Sequence, residues 1–246
     1  ELEKNQEFTL EFKQKLALKA FRITASYDAT IYKGLCSETG AEESAGDDKI
    51  LPLRKVQDLR YGENPHQKAA LFLPPLEKAP FVQHSGKELS YNNLLDLDTL
   101  LRGCAVFQDL CACTIVKHTT PCGTAHGSTP LDAFRKALEC DPVSAFGGII
   151  GITRCVDMDT AKAITETFFE IVAAPSYEEG VIEFFSEKKP NLRVLTITPG
   201  YSPKLQTTGN RCGFLVQEDM LPRLPEMKEG KWAGKERPDL WDDLIF

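Results

Sequence analysis

Four short apolar runs, "AALFL" (69–73), "CTIV" (113–116), "GIIGI" (148–152) and "LRVLTI" (192–197), are separated by longer segments whose apolar residues recur at three- and four-residue steps. The runs read as strands and the segments between them as helices, and such alternation points to a layered α/β domain. Residues 94–110 carry Leu97, Leu101, Cys104 and Phe107 at helical spacing, and Pro130–Cys140 carries Leu131, Phe134 and Leu138, with Pro130 where a first helical turn tolerates proline. Residues 157–169 and 176–188 complete the helices of this part.

Ahead of the alternating region, Leu16, Ala20, Ile23, Tyr27 and Ile31 mark one face of a helix over 9–34, with Thr9 placed to cap its start and Gly34 its end. Residues 36–50, opening "CSETGAEESAGDD", are small, acidic and aperiodic, which predicts a solvated flexible linker. The expected organisation is a helical lead-in over 1–35, the acidic linker over 36–50 and one domain over 51–246. From 218 onward the chain is charged and broken by prolines, and it closes on "RPDLWDDLIF", which carries helix-start signals without a helix body after them.

A net charge of -7 excludes a binder that grips nucleic acid by general attraction, because that surface needs a cationic excess. No stretch of about 18 apolar residues could span a bilayer and the first thirty residues lack a leader pattern, so a cytoplasmic protein is expected. The eight cysteines sit irregularly, several inside apolar runs such as "GCAVF" and "LCACTIV", which fits reduced core thiols. Cys111-Ala-Cys113 is not a C-x-x-C pair, so no metal site is expected.

Chemistry concentrates in a few aperiodic stretches. "LRYGENPHQ" (59–67) sets a cation, a phenol, an acid, an amide and an imidazole into nine positions. The run "CTIV" leads straight into Lys117-His118, where a strand's carboxyl end would face the crevice of an open sheet. An imidazole there can accept a proton from a weakly nucleophilic amine, and an adjacent ammonium can stabilise charge developing on an acyl oxygen. A core histidine with a satisfied hydrogen bond is the competing reading of His118. Gly147-Gly148 in "DPVSAFGGII" either brings backbone N–H groups close to a flat ligand or makes a tight turn. Asn92 and Asn93 stand where a helix begins, as caps or as ligand contacts, and Ser176 with Glu179 reads as a capping box.

Taken in order and spacing, "LRYGENPHQ", "YNN", "VKHTTPCG", "DPVSAFGG", "AKAI", "VAAPSYEE" and "GFLVQ" resemble the AICAR transformylase domain of the bifunctional purine-biosynthesis family that is also IMP cyclohydrolase. The likeness runs from "LALKAF" to "LWDDLIF". It implies a cytidine-deaminase-like layered fold, a mixed β-sheet flanked by helices, and formyl transfer from 10-formyltetrahydrofolate, a cosubstrate, to the 5-amino group of AICAR without a metal. Carried over by motif, Lys117 and His118 would be catalytic, with His118 taking the amine proton and Lys117 stabilising the transition state. Arg60, Tyr61, His66, Asn93, Phe146, Gly147 and Glu170 would bind the substrate. The resemblance further implies a homodimer with shared active sites.

A zinc deaminase on a similar fold would need H-x-E and P-C-x-x-C. Here His118 is followed at that spacing by Thr120, and Pro121-Cys122 lacks the second cysteine, so deamination is set aside. The cyclohydrolase part and the family's "KSNAI"-like and "SDAFFPFRD"-like segments have no counterpart in these residues, so the first half of the transformylase is expected, truncated at its C-terminus. The alternative is a catalytically incomplete half that binds nucleotide and dimerises but lacks the folate site.

Overall fold

A computed structural model describes residues 8–39, 50–75, 77–198, 200–201 and 205–218. The chain divides into two compact units, Glu1–Asp58 with Ala70–Ala79, and Leu59–Ala69 with Pro80–Phe246. Most of the acidic linker and the C-terminal "RPDLWDDLIF" lie outside the described residues.

The first unit is dominated by α1 (Leu10–Thr39). Its start follows expectation, since the Phe12 N–H donates to Thr9 Oγ1 at 3.2 Å. Its end does not. Gly34 is internal, with open space around its missing Cβ, and the helix continues through Cys36–Thr39, where the Thr39 hydroxyl donates to the Leu35 carbonyl. One interior glycine weakens a helix by about 1 kcal/mol, too little to stop one of 30 residues. The apolar face is not core either: Ile23 and Tyr27 are 54% and 65% exposed. A two-stranded sheet pairs β1 (Arg54–Leu59), absent from the sequence reading, with β2 (Ala69–Leu73).

The second unit is the expected α/β layer structure around a mixed six-stranded sheet. In chain order its elements are β3 (Phe81–Ser85), α2 (Tyr91–Val106), β4 (Ala112–Lys117), β5 (Thr120–His126), α3 (Pro130–Cys140), the single turn α4 (Pro142–Ala145), β6 (Ile149–Ile152), α5 (Met158–Thr165), β7 (Ile171–Ala174), α6 (Val181–Lys188) and β8 (Arg193–Ile197). The strand order is β3-β8-β7-β6-β4-β5. Parallel pairing joins β6, β7 and β8, while β3, β4 and β5 attach antiparallel. An exposed hairpin, β9 (Leu205–Asn210) and β10 (Gly213–Glu218), follows.

Period-two side-chain alternation splits the core between the two sheet faces. Ile149, Ile171, Ala173 and Leu195 pack with Leu97, Leu100 and Cys104 of α2. Ile150, Val172, Ala174 and Val194 pack with Phe134 of α3, Ile164 of α5 and Phe185 of α6. Each fully buried Leu, Ile or Phe contributes about 1.5–3 kcal/mol. The helix over Pro130–Cys140 has the expected bounds, capped by the Thr129 side chain. α6, by contrast, starts at Val181 after the left-handed Gly180, without a side-chain cap, rather than at Ser176. The reason is a competing pairing: the Val156 N–H donates to Ser176, Glu178 donates back to Val156, and Val156 bridges Tyr177. Similarly, α5 ends at Thr165, because Phe169 is buried on the way into β7. Among the described residues, no helix is long and apolar enough to cross a membrane.

Candidate functional site

Because β4 runs antiparallel to β6, its carboxyl end lies beside the amino ends of β6, β7 and β8. Lys117 does end a strand, but the edge it occupies is the amino edge of the parallel strands. This corrects the expectation drawn from open parallel sheets, and its cause is the antiparallel attachment of β4. The chemistry-bearing residues of the second unit gather along that edge.

Between β4 and β5 the chain turns in two residues, with Lys117 paired to Thr120. His118 and Thr119 are the turn, at φ 52° and 58°. Positive φ at both central positions is the hairpin geometry that matches strand twist, normally filled by Asn-Gly. His118 is exposed, so the reading of a buried core histidine does not hold. The Thr119 N–H donates to Asp96 Oδ1 at 2.7 Å. Lys117 Nζ donates to the Phe146 carbonyl at 2.8 Å, which holds the ammonium beside the turn that enters β6.

Glu170, just before β7, is the hub of a second group. Its Oε2 accepts from Asn93 Nδ2 at 2.8 Å and faces Arg193 Nη1 at 3.4 Å. Asn93 also closes a capping box with Ser90 at the start of α2, so capping and site contact both hold for it. Arg193 is 3% exposed, and its guanidinium donates to the Glu88 carbonyl. Burial pulls its pKa down, and Glu170 opposes that shift. Burial likewise pushes the Asp96 carboxyl up, against the Thr119 N–H and the charge of His118. Nearby Glu170 adds to the rise.

Arg60 lies over the Tyr61 ring, 4.6 Å from its centroid, and donates to the Tyr61 hydroxyl at 2.7 Å. Backbone bonds from Arg60 to Leu89 and from Tyr91 to Tyr61 tie this pair to the start of α2. His66 sits exposed on the turn that follows, where the Gly62 N–H donates to the Gln67 carbonyl. Phe146 is 57% exposed, its ring centroid 5.5 Å from that of Phe168. The Gly147 and Gly148 N–H groups are not offered to a ligand: they donate to the carbonyls of Phe168 and Ala145. The pair serves the tight turn, with Gly147 at φ 76° and a Gly148 Cβ excluded by the Val116 carbonyl 2.7 Å away.

Asp96 and Arg193 escaped the sequence reading, although both left signals. Asp96 stands one helical turn beyond Asn93, and Arg193 is a lone cation inside "LRVLTI". The edge thus offers an exposed imidazole, an ammonium, a half-exposed carboxylate and a surface guanidinium, a set suited to an anionic polar molecule and to moving a proton from it. Among the described residues no group of three or more His, Cys, Asp or Glu side chains could hold a metal ion.

A mixed-sheet α/β domain with acid–base and cationic groups along one sheet edge defines an enzyme-type site. The chain belongs to the AICARFT/IMPCHase bienzyme family, whose model matches residues 1–246. It is 48% identical over 251 residues to the bifunctional purine biosynthesis protein PurH of Persephonella marina, covering 98% of this chain and 48% of that protein. The PurH proteins of Nostoc punctiforme and Aquifex aeolicus are 46% and 42% identical, over 85% and 96% of this chain and 41% and 47% of their own lengths. The chain therefore spans about half the length of these relatives.

Proposed function

We propose that this chain serves purine biosynthesis as part of a transformylase that moves a formyl group from 10-formyltetrahydrofolate to the 5-amino group of AICAR. That its relatives are bifunctional purine biosynthesis proteins supports the pathway. The observation that carries the reaction is the pair formed by exposed His118 and by Lys117, held at the Phe146 carbonyl. The AICAR amine attacks the formyl carbon, His118 takes the amine proton, and Lys117 stabilises the negative charge on the formyl oxygen. Collapse breaks the bond from carbon to folate N10, and the proton that His118 took passes to N10 as tetrahydrofolate leaves. Arg60, Tyr61, His66, Asn93, Phe146, Gly147 and Glu170 form the substrate side of this reading, and the acting species is a homodimer with shared sites.

A second reading is favoured by the length comparison: a half that binds nucleotide and dimerises while its folate contacts lie elsewhere. One experiment separates the two. Formyl transfer by the chain is measured alongside calorimetric titration with AICAR, for the unaltered chain, Lys117→Ala, His118→Ala and Arg60→Ala. The transformylase reading expects turnover that falls at least about a hundredfold in the first two variants, as for loss of a general base or oxyanion stabiliser. It also expects weakened AICAR binding in Arg60→Ala, which lacks a charged contact. AICAR binding without turnover supports the second reading, and near-normal turnover in both catalytic variants refutes the role assignment.

A further inference from the structure

The turn that presents His118 is built from residues ill suited to it. Left-handed backbone is disfavoured for L-residues with a Cβ and most of all for β-branched ones, yet Thr119 stands at φ 58° directly after His118 at φ 52°. Such geometry persists only where its surroundings over-determine it. The bonds from Thr119 Oγ1 and Thr120 Oγ1 to the His118 carbonyl are local and move with the turn. The long-range bond on the turn residues runs from the Thr119 N–H to Asp96 Oδ1, 2.7 Å across 23 residues of sequence.

Asp96 is a firm anchor. The next residue, Leu97, and Leu100 one turn on are buried at 2% and 0% where α2 packs on the sheet. Asp96 also lies beyond the first turn of α2, where Ser90 and Asn93 do the capping, so its own helix leaves the carboxylate free for another donor. A bond to a charged acceptor is about twice as strong as a neutral one.

We infer that Asp96 is a positioning residue that holds the His118–Thr119 turn in its left-handed conformation by accepting the Thr119 N–H, and so sets where the His118 imidazole stands. The consequence for turnover rests on the formyl-transfer reading; the conformational consequence does not.

The test uses the full chain with Asp96→Ala, Asp96→Asn, Thr119→Gly and the double variant Asp96→Ala/Thr119→Gly. Amide hydrogen exchange at Thr119 should quicken about tenfold or more in Asp96→Ala, the scale for losing one protecting bond, and stay near the unaltered rate in Asp96→Asn, which keeps an acceptor oxygen. Ring signals of His118 in NMR should shift or broaden in Asp96→Ala and return toward their original positions in the double variant, because glycine enters the left-handed region freely. In the formyl-transfer assay, kcat should fall in Asp96→Ala with KM for AICAR little changed, and recover in the double variant. A purely structural role for Asp96 in α2 gives no such rescue. Unchanged exchange in Asp96→Ala, or His118 signals as altered in the double variant as in Asp96→Ala, overturns the inference. A chain that transfers no formyl group refutes the reaction reading, while exchange and the His118 signals still decide the tether.

Discussion

Glu170 and Arg193 face each other with unequal access to water: the side chains are 39% and 4% exposed. Removing the carboxylate therefore strands a buried cation whose remaining acceptors among the described residues are backbone carbonyls, Glu88 among them. Glu170→Leu should lower stability by about 2 kcal/mol, and Glu170→Gln, which retains an acceptor for Arg193, by less than about 1 kcal/mol. Urea unfolding followed by circular dichroism checks the order, and equal losses would mean that the ion pair contributes nothing specific. At this scale Lys117 and His118 stood out in the sequence because they follow directly on an apolar run, whereas Glu170 was named only through the family resemblance. Asp96 did not stand out, since an acid on a helix surface usually meets only solvent; its significance depends on a turn 23 residues away.

At the scale of elements, two glycines let helices approach the sheet. A Cβ on Gly151 would come within 2.6 Å of the Cys104 sulfur and 2.8 Å of Leu100, side-chain atoms that can shift. A Cβ on Gly123 would come within 2.0 Å of the Ala137 backbone carbonyl, so α3 itself would have to move off β5. Gly123→Ala should thus destabilise by about 2 kcal/mol or more and Gly151→Ala by less, a ranking that thermal unfolding reads directly. Four strands and the capped helix over Pro130–Cys140 were visible as apolar runs and helical period. β5 was not, because "TPCGTAH" carries proline, glycine and little apolar character and becomes a strand only through its pairing with β4. The start of α6 was misplaced for the same kind of reason, the bridge between Val156 and Tyr177 outweighing a local capping signal.

At the scale of the molecule, α1 keeps Leu18, Phe21 and Tyr27 at 72%, 74% and 65% exposure, more apolar surface than a lone helix ordinarily shows to water. The homodimer proposed above accords with this. Sedimentation equilibrium at about 10 μM should give twice the mass of 27.4 kDa, and Tm should rise with protein concentration, as for any fold linked to association. A monomer with a concentration-independent Tm would refute the dimer. The amino-acid sequence alone determined the α/β class, the places of the buried strands and the stretches where chemistry gathers, because those depend on local periodicity and on polar residues breaking it. Only the tertiary structure decided that the site lies on the amino edge of the parallel strands, that Gly147 and Gly148 use their N–H groups internally, and that Asp96 and Arg193 join the site. Strand direction and long-range hydrogen bonds depend on which distant segments meet, and a one-dimensional pattern does not encode that.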